Sequence, residues 1–440
     1  MKNGKGFQSF LWIWGGQLGS VLGSSLTSFA LGVYVLQKSG SVTNFSITLL
    51  CLTLPGIIIA PFAGILVDKW NRRGMMLLSD FLAGSATLGI GAILAFSHLT
   101  LWHIFLFACI ASISGTIQFP AYQSIVSQIV EKRHLGRANG LIQLCEALTN
   151  IVAPPLGGVL LPLIHLKGII IIDFFSFFLA IFSVLAVKIP KSQKKTETVK
   201  NQPLWADLKE GVHYLLIHKE LLWFLSYFAL SNFLFGFEEV YLQPLILSLS
   251  DVKNLGYVLS SVGFAMVAGG ITISAWGGPK RKARGVFGFG FVTAFIFSFV
   301  GFSTSILLIS ILLFISFFFL PFGNSCSQVL WQTRVEPSIQ GRVFALRRMI
   351  AMSLMPLAFF LSGPVSEHIL TPFMSDGRAG NILFGEWLGT GQGAGFRLFF
   401  IIIGLGLTFL SILLYSKKEI RKIDEDSGIY HDVHPNHISN

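Results

Sequence analysis

What most constrains this chain is how its charges are kept apart. Ile47 to Val67 carries no charged residue, and Met75 to Phe96 carries only Asp80. Between them lies a short basic loop, Asp68-Lys69-Trp70-Asn71-Arg72-Arg73. A run of roughly 20 apolar residues, wound as a helix, matches the hydrocarbon thickness of a bilayer. Two such runs joined by a tight charged turn are expected to cross the membrane as a helical pair. The pattern recurs along 440 residues that are 53% hydrophobic and only 12% charged, about half the charge of ordinary soluble domains. About 12 spans are read on hydropathy, from 10–36 to 396–415 and including 138–163, 168–187 and 342–369. The fold class is therefore an all-α polytopic membrane protein.

The distribution of the 32 Lys and Arg residues sets an expected orientation. With the N-terminus in the cytoplasm, only Lys38, Lys167, Lys253, Arg378 and Arg397 fall on the outer side, as the positive-inside rule requires. Both termini are then cytoplasmic, and the net charge of +11 reads as a topology signal rather than a nucleic-acid surface. Cys51, Cys109, Cys145 and Cys326 all lie in apolar runs and read as small packing residues. The first apolar run, from near Phe7, has no small-residue cleavage site after it and reads as a retained span. Lys188 to Lys219 is polar and Lys-rich and separates six spans from six. Within it Leu204, Trp205, Leu208, Val212, Leu215 and Leu216 recur at helical spacing, predicting an amphipathic surface helix. The expected units are 1–188, a linker 189–220, a second bundle 221–416 and a cytoplasmic tail 417–440. The outer loop from Ser366 to Gly395, ending in Gly389-Thr-Gly391-Gln-Gly393-Ala-Gly395, lacks the Lys-Ser/Thr of a phosphate loop and reads as packed or flexible. The tail after Lys422 is polar and expected to be disordered, and its His431, His434 and His437 are not taken as a metal site. No cofactor, metal or nucleotide site is expected.

A repeat links the halves. Val130-Glu131 followed by Gly136-Arg137 returns as Val335-Glu336 followed by Gly341-Arg342. At the same spacing Ala153-Pro-Pro-Leu156-Gly-Gly158 returns as Ala358-Phe-Phe-Leu361-Ser-Gly363. Two six-helix bundles in parallel repeat follow. The basic loop with its flanks, Gly64-Ile-Leu-Val-Asp68-Lys69-Trp-Asn71-Arg72-Arg73-Gly74, resembles the G-x-L-x-D-R-x-G-R-R signature of the major facilitator superfamily of transporters. Asn71 stands where that family usually has Gly; Asn tolerates a left-handed backbone, which would preserve the turn. The second-half counterpart, Trp276-Gly-Gly-Pro-Lys280-Arg281-Lys282, keeps the charge and loses the acid. Three further stretches, Pro120 to Leu141, Leu204 to Leu215 and the Gly-Thr-Gly run, resemble the branch holding bacterial macrolide-efflux and siderophore-export proteins. The resemblance implies proton-driven export of an amphipathic organic molecule, without ATP, by rocking of the two bundles. Many drug–proton antiporters carry an Arg in the fourth span, and Ile104 to Pro120 has none.

Ionisable residues inside spans are the functional candidates. Glu146 lies about 15 Å into the fifth span, with Gln143 and Asn150 on the same face. Its repeat partner is Ala351, so the scaffold does not require an acid there, and a mid-bilayer carboxyl suits a site exchanging a proton for substrate. Glu238 and Glu239 lie in the seventh span, where neighbours point about 100° apart, so one is expected to face a cavity. Gln17, Gln118 and Tyr122 complete the expected cavity set. Gly15, Gly19 and Gly23 form a close-contact face on the first span, with Gln17, Ser20 and Ser24 beside it. Asp173 reads as structural, and Asp80 as pairing with an Arg of the basic loop. Phe119, Tyr122, Phe235, Phe237 and Tyr241 are candidates for an amphipathic pocket lining. By resemblance, Gly64, Asp68, Lys69, Arg72 and Arg73 with Arg347 and Arg348 form a conformational latch, Asp68 approaching the start of the eleventh span. The reading is of a monomer whose partners are the lipid bilayer, protons and a small-molecule substrate. An importer or lipid transporter of the same fold is the alternative. A receptor is weaker, and a membrane-embedded enzyme is disfavoured because His98, His103 and His165 are scattered.

Overall fold

A computed structural model describes residues 5–187, 212–336 and 339–425, with side chains throughout except at 5, 64, 65, 68, 69, 132, 341 and 425. Among these residues 11 helices are long and apolar enough to cross a membrane. One of them, Leu135–Ala186, has 52 residues, roughly 78 Å at 1.5 Å per residue, far more than one crossing needs. It breaks at His165, whose φ of 56° is non-helical. Contacts with the first span show a reversal there. Trp14 Nε1 donates to Leu141 O and Phe29 meets Gly157, a rising register, whereas Gly16 meets Ser183 and Gly23 meets Asp173, a falling one. Counted as two passes, this element brings the total to twelve.

The first span (Lys5–Ser39), second (Val42–Lys69), third (Arg72–Phe96), fourth (Leu101–Ile129) and the double element pack on one another. So do the seventh (Lys219–Leu249), eighth (Val252–Trp276), ninth (Lys282–Ser298), tenth (Ile306–Arg334) and twelfth (Gly391–Tyr415). The eleventh is built in pieces, Gln340–Ser353, Met355–Pro364 and a π-helical turn Val365–Leu370. Residues 70, 131, 280 and 336 share the near side with residues 5 and 425; residues 40, 98, 165, 250 and 303 share the far side. The two sets meet where the second span packs on the seventh and eleventh, and the fifth on the eighth. These contacts run from mid-span to the far side. Ser260 Oγ donates to Ile151 O at 2.7 Å, Gly263 abuts Asn150, and Gly256 abuts Pro154. A side chain on Gly363 would collide with Thr43, so glycine is what lets the eleventh span touch the second.

Several expectations change. The contact face of the first span is Gly16, Gly19 and Gly23; Gly15 faces open space. Asn71 is not left-handed (φ −67°, ψ 113°): it caps the third span, its side chain accepting from Arg73 N at 3.2 Å. The twelfth span starts at Gly391, so the Gly-rich run is its first turn, and the preceding loop contains a helix, Ala379–Leu388. The described part of the tail is helical rather than disordered. Lys418–Glu425 is a helix whose Ile420 and Ile423 are buried beside Leu215, Leu330 and Val343. Its Asp424 carboxylate accepts from Ala283 N and Arg284 N at 2.9 and 2.8 Å, capping the ninth span. The acid missing from 276–282 thus arrives from the far end of the chain. Of the amphipathic stretch, Leu204, Trp205 and Leu208 lie outside the described residues; 212–217 is helical with Leu215 buried. The rest of residues 189–211 and His431, His434 and His437 also lie outside them.

Candidate functional site

The seventh span carries polar residues on two adjoining strips. Ser231, Phe235, Glu238 and Leu242 follow helical spacing, and Asn232, Glu239 and Gln243 run beside them. All seven line a cavity of about 450 Å³ walled by spans seven to twelve. Tyr227, Phe228, Phe317, Phe319, Met266 and Met355 supply its apolar surface, and Asn324 adds an amide. Both glutamates reach the cavity, against the expectation of one, because the cavity wraps around more than the 100° that separates neighbours. Glu238 is buried and Glu239 exposed. No Lys, Arg or His lines the cavity, and the ion pair Arg133–Glu131 lies away from it, on a near-side loop. Two carboxyls therefore face an apolar chamber with no protein cation beside them, a combination that accepts protons or an organic cation.

Glu146, Gln143 and Asn150 form an exposed strip on the fifth span. Glu146 sits one turn to the near side of Asn150, whose backbone abuts Gly263 of the eighth span. The eighth span in turn presents Val262 and Met266 to the cavity and Gly263 to Asn150. Glu146 therefore stands where the two halves part, next to the chamber but not lining it.

Gln17 and Gln118 are elsewhere. Gln118 Nε2 donates to Gln17 Oε1 at 2.9 Å and to Asp80 Oδ1, and Gln17 Nε2 donates to Asp80 Oδ2 at 3.4 Å. Gln17 and Asp80 are buried, so this is a closed knot between the first, third and fourth spans, not a cavity wall. Asp80 does not pair with an Arg: Arg73 is turned away, its Nη2 donating to Leu185 O at 2.8 Å at the end of the sixth span. Asp173, 1% exposed, accepts from Ser24 and Thr87 at 3.2 and 3.1 Å. Tyr122 is buried in the first-half core with its hydroxyl unpartnered. Phe235 lines the cavity. Phe237 and Tyr241 do not; they pack on Phe399, and Tyr241 Oη donates to Ser362 O at 2.7 Å. Phe119 is exposed away from it.

For the latch, Asp68 and Lys69 have side chains outside the described residues, as does Gly64. Arg347 is engaged within its own half: it donates to Gln328 Oε1 and Ser327 Oγ at 3.1 and 3.0 Å and stacks on Trp331. Arg72 is half-buried and Arg348 exposed. A contact that sequence reasoning missed joins the halves on the far side. Glu367 Oε1 accepts from Ser41 Oγ at 2.6 Å and Thr43 N at 3.1 Å, capping the second span from the eleventh. The π-helical turn that aims Glu367 has no sequence signature. The cavity polar groups Asn232, Gln243 and Asn324 were also missed, although the first two continue the glutamate strip by simple helical spacing.

Comparison with known proteins agrees with this architecture. The chain is similar to macrolide efflux protein A of Streptococcus pyogenes, 25% identical over 374 residues, covering 82% of this chain and 90% of that protein. It is 22% identical over 357 residues to the multidrug efflux pump Tap of Mycobacterium bovis, covering 78% and 84%. Among solved structures it resembles a bacterial homologue of the human lysosomal transporter Spinster in its inward-facing, unoccupied form. The TM-score there is 0.68, with 12% identity and coverage of 97% and 98%. Bacterial relatives and 11 apolar helices place the chain in the plasma membrane as a multi-pass protein. With residues 13–359 matching the family description, twelve passes in this arrangement and these relatives, the chain belongs to the Major Facilitator Superfamily of transporters.

Proposed function

We propose that this protein is a secondary transporter that exports a hydrophobic or amphipathic small molecule in exchange for protons, by alternating access. The observation that carries the reading is the second-half chamber, where aromatic and Met walls surround two carboxyls with no protein cation. Such a chamber can bind an amphipathic guest through apolar burial while its carboxyls exchange protons. With both termini in the cytoplasm, the near side is cytoplasmic and the far-side contacts close the outer face. The conformation then faces inward, ready to load from the cytoplasm or its leaflet. Export would require those contacts to part and residues 1–188 to rock against 221–416. Asp68 and the start of the eleventh span, with Arg347 released from Gln328, would then close the inner side. The efflux relatives support the outward direction.

The experiment is gradient-driven transport in proteoliposomes of labelled erythromycin and of cationic and neutral dyes, comparing wild type with Glu238→Gln, Glu239→Gln and Glu146→Gln. Wild-type movement toward the acidic compartment, reduced at least about tenfold by a cavity glutamine variant, is expected. Movement of solute together with protons would replace export by uptake. Full activity in all three variants would remove the carboxyls from the mechanism.

A further inference from the structure

The first six spans hold two enclosed acids that the substrate chamber does not use. Asp80 is 0% and Asp173 1% exposed. Their partners are neutral: two carboxamides for Asp80, and hydroxyls from the first, third and sixth spans for Asp173. Among the described residues of the spans packed against them, no Lys, Arg, His or second acid interacts with either carboxyl. The two sites are two turns apart on the same pair of helices. Gln17 and Ser24 lie seven residues apart on the first span, and Asp80 and Thr87 seven apart on the third, a separation of roughly 10 Å. Ser20, also buried, lies between Gln17 and Ser24.

The second half shows that the fold does not need these acids. The ninth and twelfth spans, counterparts of the third and sixth, contain no Asp or Glu. There the corresponding junction is made by neutral hydroxyls, Tyr227 Oη and Ser411 Oγ at 3.1 Å, against Gly290. A charge enclosed without a counter-ion costs several kcal/mol, a cost that binding a proton removes and water access relieves. Groups of this kind respond to which face of a rocking bundle is open.

We propose that Asp80 and Asp173 form a proton-carrying column inside the first half, separate from the substrate chamber of the second, loading a proton from one side and releasing it to the other as the bundles rock. This deepens the proton-exchange reading above and rests on it. Each step is the reversible conversion of a carboxylate and a proton into a carboxylic acid, so nothing else is consumed. Coupling between proton and substrate is then indirect, through the conformational change.

The decisive measurement needs no substrate. Infrared difference spectra of the protein in liposomes are recorded between about pH 5 and about pH 9. Wild type is expected to show protonated-carboxyl bands that titrate, with one band lost in Asp80→Asn and another in Asp173→Asn. Gln17→Met keeps the acid but removes one amide donor, and should move the Asp80 midpoint by about one pH unit. That variant serves if Asp80→Asn does not fold. Spectra unchanged by all three variants overturn the proposal, because neither carboxyl would then take up or release a proton in this range. In proteoliposomes, the ratio of pH-gradient-driven erythromycin transport to erythromycin exchange should fall at least about tenfold in the Asn variants. An unchanged ratio also overturns the column while leaving the exporter standing. Titrating bands with no wild-type transport of any probe would keep the column and count against the exporter.

Discussion

Removing the Glu367 carboxylate should loosen the far-side closure. Its Oε1 accepts one hydrogen bond from Ser41 Oγ at 2.6 Å and one from Thr43 N at 3.1 Å, at the positive end of the second span. Hydrogen bonds to a charged group contribute about 1.5–3 kcal/mol when shielded from water. Glu367 is half-buried, so each bond is taken at about 1 kcal/mol and the pair at about 2 kcal/mol. Because the bonds join the two halves and cannot survive their separation, the whole amount enters the open–closed equilibrium. Glu367→Ala should therefore raise the far-side-open population about 30-fold relative to the closed one. Glu367→Gln keeps the acceptor oxygen and loses the charge, so roughly half of the energy and about a fivefold shift are expected.

Spin labels at Leu163→Cys and Leu307→Cys read this out. Both side chains are exposed at the far ends of spans in opposite halves, 69% and 71% accessible, and clear of the interface. The native Cys51, Cys109, Cys145 and Cys326 are first replaced by Ala or Ser. The graded order, wild type then Gln then Ala, in the long-distance population is the expected result. Identical distance distributions for wild type and Glu367→Ala would show that the contact does not bias closure, and the reasoning would be refuted.

Three further outcomes follow from capping and burial. Arg397 is buried and donates to the carbonyls of Gly301, Phe302, Trp387 and Leu388, so Arg397→Leu should cost about 3–5 kcal/mol and lower the detergent melting temperature, with Arg397→Lys recovering only part; an unshifted melt would contradict this. Asp424→Ala removes the cap on Ala283 and Arg284 and should cost about 1–2 kcal/mol, read as faster proteolysis and earlier melting, whereas wild-type behaviour would mean that the terminal helix is not holding the ninth span. Asn71→Ala should cost about 1 kcal/mol and Asn71→Gly only a few tenths, the order expected of an N-cap; the order for a left-handed turn would place Ala further below Gly.

The membrane fold was legible because hydrocarbon leaves few options. Charge-free runs and basic near-side loops followed from that requirement, and the Val-Glu…Gly-Arg repeat was a separate sign of two like halves. Where sequence reasoning failed, the deciding contact lay far away along the chain. Asp80 was assigned to the nearby arginines, but Gln118 reaches it first and Arg73 finds a helix C-terminus instead. Phe237 and Tyr241 share a helix with Phe235 yet face the core, because that face meets Phe399. Asp424 looked like part of a loose tail until two buried isoleucines and a bare helix N-terminus gave it a dock. Glu367 depended on a π-helical turn, which displaces a side chain by an angle that no 3.6-residue wheel anticipates.

The placement of the polar contacts bears on how such a machine moves. Between helices in a membrane, lipid chains replace lost packing almost without penalty, so apolar area does not hold two bundles together as it would in water. The interface between the halves reflects this, with glycines at 158, 256, 263 and 363 letting backbones touch. Such contacts are short-ranged and vanish with a small tilt. The few polar bonds across the interface, Glu367 to Ser41 and Thr43 and Ser260 to Ile151, then carry a disproportionate share of the bias. Asp80 and Asp173 bond only within the first half, so their protonation can change its internal packing without breaking an inter-half contact. A proton arriving there would act on the tilt of the first span. That span carries Gln17, Ser24 and the Gly16–Gly23 face, and it packs on the second and fifth spans, which make the contacts with the other half.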